Sequence, residues 1–278
     1  MASDVAIVVP TFRPTFGVLD LIATVSALGP TLVTDDGSPV TSDPVLDAIQ
    51  HRHPLIQVLR HRRNIGIARG LNDGLAFAIE VKSPWLLTMD QDSKITLESL
   101  QMLVSSASDL TKDSTLQRPI GVLGCGRVVL QDGKDLFNKR PHTAFTYQVP
   151  EVIQSGSLWS VQALRDIGGF DQMLGIDAVD AEACLAFRER DYWVGVDERA
   201  VLHHNLGNAR SVSVLRKRVL VTEHSPARRG SMLRNRIRLF PREFAVSPLN
   251  ALRTVRRVIV NQSMGMAVRS SKRPLTRS

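Results

Sequence analysis

The chain has 278 residues, of which 43% are hydrophobic and 22% charged, which is the composition of a globular protein with one large or two small α/β domains. It contains no run of about 18 apolar residues and no basic, apolar leader, so neither a membrane-spanning helix nor a secretory signal is expected. The net charge of +8 is uneven, because 17 of the 35 Lys and Arg residues but 2 of the 27 Asp and Glu residues lie from Arg210 onward. Such a basic tail suits nucleic acid, anionic lipid or a phosphorylated ligand.

The first part of the chain alternates between strand and helix patterns. Strands are predicted at 4–10, 31–34, 55–59 and 85–89, and helices at 17–29, 43–50 and 67–81. This alternation predicts an α/β fold with a mostly parallel central sheet and helices on both faces. Ligands of such sheets bind beyond the carboxyl ends of the strands.

The spacing is less regular after residue 96. Helices are predicted at 96–110, 162–167 and 176–188, and strands at 119–130, 152–161, 192–196 and 200–202, while residues 131–147 have no clear pattern. Near the end, Leu249, Leu252, Val255 and Val258 recur at helical spacing with arginines between them, a basic amphipathic pattern that suits a membrane surface. A helix packed on the domain with its arginines in solvent would show the same pattern.

Each of the first four predicted strands ends in a polar cluster. These clusters contain Thr11 to Arg13, Asp35 and Asp36, Asn64 and Gly66, and Asp90 and Asp92. Their convergence predicts a nucleotide-binding site at one edge of the sheet. A dehydrogenase and a P-loop enzyme are not expected, because neither glycine-rich phosphate motif is present. The two cysteines lack metal-ligand spacing and are expected to be free thiols in a reducing cytoplasm.

Asp90 and Asp92 directly follow an apolar, strand-like run. Alternate residues of an extended chain point the same way, so the two carboxylates are expected to aim at one point. Oxygen ligands of this kind suit Mg²⁺ or Mn²⁺. A polar turn that caps the strand would have the same short D-x-D pattern. A second group of acids lies near the start of the predicted helix around Asp180, where carboxylates could simply compensate the helix dipole.

The order of motifs resembles the inverting nucleotide-sugar glycosyltransferases of family 2, which have the GT-A fold. The matching motifs are those at 7–12, 35–38, 64–72, 89–92, 155–157 and 168–171, and the acidic helix at Asp180. Within the family, the motifs around Asp90, Asp180 and His204 are similar to those of the bacterial rhamnosyltransferase branch, which uses dTDP-L-rhamnose. The resemblance implies a catalytic domain over 1–209, with a nucleotide-sugar half at about 1–118 and an acceptor half at about 119–209. A basic helical extension over 210–278 follows.

The resemblance also implies a role for individual residues. The donor nucleotide would contact Pro10, Thr11, Asp35, Asp36, Asn64, Gly66, Asp90 and Gln91. Asp92 would bind Mg²⁺ or Mn²⁺ directly, with Asp90 as a contact to ribose or to the metal's water shell. His204, rather than His203, fits the family spacing to Gly207 and would contact the metal or the diphosphate.

Asp180 matches the general base of the family, with Asp177 and Glu182 as rival bases because the local motif departs from the usual one. The acceptor region would include Gly156, Ser157, Asp171 and Asp177. The implied reaction is transfer of a sugar to a glycan or a polyprenyl-diphosphate-linked glycan in bacterial cell-surface polysaccharide synthesis. The favoured sugar is L-rhamnose, with dTDP-rhamnose as the donor. Such an enzyme would be cytoplasmic, with its basic extension on the inner face of the cell membrane.

Three alternatives remain at this stage. A family 2 enzyme that uses a UDP- or GDP-sugar would have the same motifs. A sugar nucleotidyltransferase has a related sheet, but it typically has a glycine-rich basic loop after the first strand, unlike Thr11 to Pro14. A nucleic-acid-binding protein would explain the basic tail, but aromatic residues make up only 5% of the chain and no nucleic-acid-binding motif occurs, so no nucleic-acid partner is expected.

Overall fold

The computed structural model describes residues 4–130, 133, 135, 144–204, 209–214, 217–222, 226–256 and 258. The chain divides into two compact units, Met1–Asn205 and Leu206–Ser278. The first unit is an α/β domain, and the second begins with a β-hairpin and continues as helices.

The first unit contains nine strands and six α-helices in its described residues. The strands are β1 (Val5–Thr11), β2 (Thr31–Asp35), β3 (Gln57–Arg60), β4 (Trp85–Thr88), β5 (Lys94–Ile95), β6 (Ile120–Leu130), β7 (Thr146–Gln148), β8 (Ser157–Ser160) and β9 (Trp193–His204). The helices are α1 (Val18–Val25), α2 (Asp43–Arg52), α3 (Ile67–Glu80), α4 (Leu97–Lys112), α5 (Val161–Ile167) and α6 (Val179–Glu189).

One sheet contains all nine strands, in the order β3-β2-β1-β4-β8-β6-β9-β5, with β7 paired to β9. Strands β1, β2, β3 and β4 are mutually parallel, β8 is antiparallel to both β4 and β6, and β9 is parallel to β6. Six of the nine described strands therefore run in the same direction, which confirms the predicted mostly parallel α/β sheet.

Apolar side chains cover both faces of this sheet. In β1, Val5, Ile7 and Val9 pack into one core with α1, α2 and α4, whereas Ala6 and Val8 pack into the other core with α3, α5 and α6. A strand that is buried on both sides reads as a continuous apolar run, because alternate residues point to opposite faces. The predicted placement of helices on both faces is confirmed.

Helix α3 lies very close to the sheet because two glycines face it. A Cβ atom on Gly74 would lie 2.5 Å from Cβ of Val8, and one on Gly70 would lie 2.5 Å from Oγ1 of Thr34. The two glycines are one helical turn apart, so they form one smooth surface on the helix. This close packing places the start of α3 beside the end of β2.

The structure corrects two predicted elements. Two strands are predicted at 192–196 and 200–202, but residues 193–204 form one strand, β9. Its pairing with β6 continues across a register shift after Asp197, at the point where the apolar pattern is interrupted. The extension is predicted to be helical throughout, but β10 (Ala209–Val214) and β11 (Lys217–Thr222) form an antiparallel hairpin. Serine and valine alternate in β10, and β-branched residues in alternation favour a strand.

The second unit continues with α7 (Pro226–Val246) and a helical segment over residues 248–256. Their side chains surround an apolar cavity of about 380 Å³ lined by Phe240, Val255 and neighbouring residues. Within the described residues, no helix has the length and apolar content needed to cross a bilayer.

Candidate active site

The carboxyl ends of the central parallel strands meet at one edge of the sheet. Thr11 at the end of β1 is in register with Asp35 at the end of β2, and the backbone N–H of Met89 after β4 donates to Val8 O of β1. The polar residues that follow these strands are therefore neighbours in space. Helix α1 and the residues after β4 also line a cavity of about 430 Å³, which includes Asp20, Asp92 and Lys94.

Asp90, Asp92 and His204 form a cluster at this edge. One possible ligand atom of each side chain lies within 4.8 Å of the other two. Asp92 is exposed, while Asp90 and His204 are half-buried. The neighbouring His203 is exposed and lies outside this cluster.

The short strand β5 brings the histidine to the two acids. Lys94 of β5 is paired antiparallel with His203 of β9, and Ile95 is paired with Leu202. In this register, the residue before Lys94 faces the residue after His203. Ser93 and His204 are therefore adjacent, although they are far apart in the sequence.

Three hydroxyl and ring contacts connect the cluster to the loop before β8. The Asp90 N–H donates to Ser155 Oγ at 2.9 Å, and Ser155 Oγ donates to Ser93 Oγ at 2.8 Å. Ser93 Oγ lies 2.8 Å from Nδ1 of His204. Ser93 and Ser155 are 2% and 1% exposed, so water does not compete for these bonds.

The environment favours the neutral form of His204. Burial lowers the pKa of His204 below the ordinary value, and the nearby negative charge of Asp92 opposes this effect without cancelling it. A neutral imidazole has one nitrogen lone pair available for a cation.

The two acids at the end of β2, Asp35 and Asp36, accept hydrogen bonds from backbone and side-chain groups of the protein. Asp35 accepts hydrogen bonds from the backbone N–H and the hydroxyl of Ser38, and its side chain is fully buried. Asp36 accepts the N–H groups of Ile65 and Gly66 at 2.8 and 3.0 Å. Its Oδ1 also lies 3.4 Å from Nδ1 of His61. Asp36 therefore fixes the loop that enters α3.

The other predicted donor-side residues lie around the same edge. Pro10, Thr11 and Gly66 are buried, whereas Asn64 is exposed. The amide of Gln91 accepts from the N–H of Phe12 at 3.1 Å and donates to its carbonyl at 3.0 Å. Gln91 thus joins the loop after β1 to the loop after β4.

Asp180 lies in the first turn of α6 and is half-buried. Its carboxylate accepts the N–H of Gln154 at 3.2 Å and that of Ala181 at 2.8 Å. Ala178, which precedes the helix, has a φ of 68°, an uncommon conformation for a residue other than glycine. Because Gln154 directly precedes Ser155, one short loop contacts both Asp180 and the Asp90 side of the cluster.

The rival bases and the predicted acceptor residues differ in exposure. Asp177 is half-buried in the loop before α6, and Glu182 is buried. Asp171 accepts the N–H of Met173 at 2.9 Å and caps a short 3₁₀ helix. Gly156 is buried directly before β8, Ser157 is buried as the first residue of β8, and Ser157 Oγ donates to the Ile153 carbonyl. Asp171 and Ser157 therefore have structural contacts in the protein.

The Asp90, Asp92 and His204 cluster fits a divalent cation. Two carboxylates supply the oxygen ligands that Mg²⁺ and Mn²⁺ prefer, and a neutral imidazole is a common metal ligand. The contact between the histidine ring and a neighbouring hydroxyl is also typical of metal sites.

Comparison with known proteins shows what kind of domain this is. Residues 31–168 match the family described as glycosyl transferase family 2. The chain contains a family 2 glycosyltransferase domain. This glycosyltransferase is 26% identical over 222 residues to the dTDP-rhamnosyl transferase RfbF of Shigella flexneri, covering 76% of its own chain and 71% of the relative.

Solved structures show the same fold. The mannosyltransferase PcManGT from Pyrobaculum calidifontis, in complex with GDP-Man and Mn²⁺, has a TM-score of 0.61 and 13% identity, and covers 98% of this chain and 76% of that chain. TarS from S. aureus has a TM-score of 0.53 and 16% identity over 73% of this chain. The glycosyltransferase spans 36% of the TarS chain. These likenesses confirm the GT-A fold.

Several residues that make hydrogen bonds in the site were not among the predicted site residues. Ser155 belongs to a matching motif, and Ser93 and Gln154 lie directly beside such motifs, but nothing in their spacing indicates which residues they contact. Their contacts depend on the pairing of β4 with β8 and of β5 with β9, which brings residues 62 to 111 positions apart together.

Proposed function

We propose that this family 2 enzyme is an inverting transferase that moves L-rhamnose from dTDP-rhamnose to a hydroxyl of a glycan or polyprenyl-diphosphate-linked glycan, in bacterial cell-surface polysaccharide synthesis. The observation that carries this proposal is the loop at Gln154 and Ser155, which connects an acid suited to general-base chemistry with a cluster suited to a cation. The likeness to a dTDP-rhamnosyl transferase supports the choice of donor.

The nucleotide would lie at the ends of β1 and β2, against Pro10, Thr11 and the loop at Asn64 and Gly66. An ionised carboxylate has about four lone-pair sites. Asp36 uses two of them for the N–H groups of Ile65 and Gly66, so it can still accept a hydrogen bond from a ligand. Of the two acids at the end of β2, Asp36 is 8% exposed and Asp35 is fully buried. We therefore assign the contact to the pyrimidine N–H to Asp36, and the shaping of the turn to Asp35 and Ser38.

Asp90, Asp92 and His204 would hold Mg²⁺ or Mn²⁺ beside the donor diphosphate. A divalent cation in this position supplies Lewis-acid stabilisation of the negative charge that develops on the leaving group. The three side chains provide the fixed arrangement that this role requires.

Asp180 would act as the general base. As the acceptor hydroxyl oxygen forms a bond to the anomeric carbon, its proton passes to the Asp180 carboxylate, and the bond from that carbon to the diphosphate oxygen breaks. Attack opposite to the leaving group inverts the configuration. The N–H groups of Gln154 and Ala181 orient the carboxylate for this step.

A thermal-shift experiment tests the donor and the cation together. At a dTDP-rhamnose concentration of about 100 times Kd, binding stabilises the folded state by about 2.7 kcal/mol, which corresponds to a rise in Tm of roughly 5–10 °C for a domain of this size. We expect this rise with Mn²⁺ and its loss on addition of EDTA or in Asp92→Ala.

UDP-sugars and GDP-sugars are the controls for donor choice. A rise with one of them and none with dTDP-rhamnose would replace the proposed donor while keeping the enzyme class. A sugar nucleotidyltransferase would instead release diphosphate from dTTP and a sugar 1-phosphate, a reaction that we do not expect.

The second unit supports a position at the inner face of the cell membrane. On the segment 248–256, Ala251 and Thr254 are buried, while Leu249 and Leu252 are 69% and 54% exposed and lie beside the exposed Arg253. A surface that combines exposed leucine with arginine suits anionic lipid better than water. Attachment there would place the enzyme near a lipid-linked acceptor.

A further inference from the structure

The Ser93 and Ser155 hydroxyls connect three parts of the candidate site. They are almost completely buried, and they link the Asp90 backbone to the ring of His204 through contacts of 2.9, 2.8 and 2.8 Å. A buried hydroxyl costs free energy unless it is hydrogen-bonded, so this pair has a defined arrangement.

The donors and acceptors of the pair can be assigned in order. Ser155 Oγ accepts the Asp90 N–H and donates its own hydrogen to Ser93 Oγ. Ser93 Oγ, which keeps one accepting position and its own hydrogen, lies 2.8 Å from Nδ1 of His204, and the tautomer of the ring sets which of these two atoms donates. The ring nitrogen left for a ligand is therefore Nε2.

This hydrogen-bonding arrangement determines which ring nitrogen of His204 can bind a cation. For Nε2 to offer its lone pair, Nδ1 must carry the proton of the neutral ring and donate it to an acceptor. Ser93 Oγ is an acceptor at hydrogen-bond distance, and Ser155 orients that oxygen by donating to it. A histidine without this acceptor would be free to rotate and to exchange its proton between the two nitrogens.

We propose that Ser93 and Ser155 are positioning residues of the cation site, which hold His204 with Nε2 towards Asp90 and Asp92. The inference rests on the cation site of the proposed function. It adds that the two serines act through the histidine, although neither would touch the cation or the donor. Because Ser155 also binds the Asp90 N–H, the pair keeps an acid and the histidine at a fixed separation.

The test measures Mn²⁺ affinity from the electron paramagnetic resonance signal of free Mn²⁺, with no nucleotide present. Loss of a partner of a metal-bound histidine typically weakens metal binding about 10- to 100-fold, so we expect Ser93→Ala to raise the Mn²⁺ Kd by about this factor. Ser155→Ala should have a smaller effect, because Ser93 keeps its contact with the ring.

Ser99→Ala is the matched control. Ser99 is also buried, and its hydroxyl accepts the N–H of Val201 in the same strand as His204, but it does not contact the cluster. We expect its Mn²⁺ Kd to stay within about twofold of the wild-type value, because a change in the strand that does not contact the cluster should not move the His204 ring.

A double-mutant cycle separates positioning from general structural support. If Ser93 acts through His204, Ser93→Ala should cause no further loss of Mn²⁺ affinity in a His204→Gln background. An equal loss in both backgrounds would overturn the proposal. So would a wild-type Kd in Ser93→Ala together with a raised Kd in His204→Gln, because His204 would then bind Mn²⁺ without the serines.

Two further variants keep the test valid if Ser93→Ala does not fold, as judged by circular dichroism. Ser93→Thr and Ser93→Val have nearly the same shape and differ in the hydroxyl. Threonine should preserve Mn²⁺ binding and valine should not, and equal Kd values would contradict the proposal. If His204→Gln itself leaves the Kd unchanged, the cation site of the proposed function is wrong and the positioning role fails with it.

Discussion

Asp180 is held by two backbone N–H groups, and it is the acid that shares a loop contact with the cation cluster. Asp180→Asn keeps the shape of the side chain but removes its ability to accept a proton. A general base typically contributes about 10²- to 10⁴-fold to the rate, so we expect kcat to fall by about this factor. Donor affinity, measured by thermal shift or calorimetry, should stay unchanged.

Asp177→Asn is the matched control for this prediction, because Asp177 is also half-buried but lies in the loop before the helix. It should reduce kcat much less than Asp180→Asn. A large loss for Asp177→Asn and near-normal turnover for Asp180→Asn would transfer the base to Asp177.

For single residues, the sequence motifs predicted some members of the candidate site but not the contacts between them. Asp90 and Asp92 are predicted as a site because two acids end an apolar strand, a pattern that is visible locally. His204 is predicted through the family resemblance alone. The bond between Ser93 and Ser155 joins residues that are 62 positions apart, and no local pattern records such a contact.

At the scale of elements, helix α3 depends on the absence of side chains at two positions. In Gly74→Ala the new methyl group would lie 2.5 Å from Val8 Cβ, and overpacking of this kind typically costs about 1–3 kcal/mol. We therefore expect a lower free energy of unfolding in urea.

Gly230→Ala provides the opposite case. Gly230 lies in α7 with nothing within 4 Å of the added atom, and it is exposed. Alanine is favoured over glycine in a helix by about 1 kcal/mol, so this variant should be slightly stabilised. If Gly74→Ala were stabilised like Gly230→Ala, close packing of α3 would not be the reason for its glycines.

Long, regular elements were predictable, whereas short or interrupted ones were not. Strand β1 is apolar at each position facing the two cores, so its pattern is clear. Strand β5 has two residues, which is too short for any periodicity. Strand β9 was divided into two predicted strands because Asp197, Glu198 and Arg199 interrupt its apolar run, yet Asp197 and Arg199 are paired with each other beside Ser106.

At the scale of the whole molecule, the uneven charge and the exposed leucines of the second unit predict binding to anionic membranes. Each basic residue near an anionic surface contributes about 1 kcal/mol, so replacing Arg253 and Arg256 by glutamine should weaken binding by about 2 kcal/mol, or roughly 30-fold. Flotation with phosphatidylglycerol vesicles measures this loss, and phosphatidylcholine vesicles should bind little protein.

Leu249→Ser with Leu252→Ser should also reduce flotation, because it removes the apolar contacts. Leu55→Ser is its control, since Leu55 is 93% exposed in the first unit. Binding that is independent of lipid charge, or that is unaffected by the changes in the second unit, would show that the basic extension has another role.

The pairing of β5 with β9 has a consequence for how the protein forms during synthesis. The two acids emerge from the ribosome more than a hundred residues before His204, and the strand that carries the histidine is the last of the nine in the sheet. A nascent chain that has not reached β9 therefore has two neighbouring carboxylates but lacks the proposed third ligand, His204. The proposed cation site can therefore form with all three side chains only when the first unit is nearly complete, and a chain that stops before His204 cannot form it.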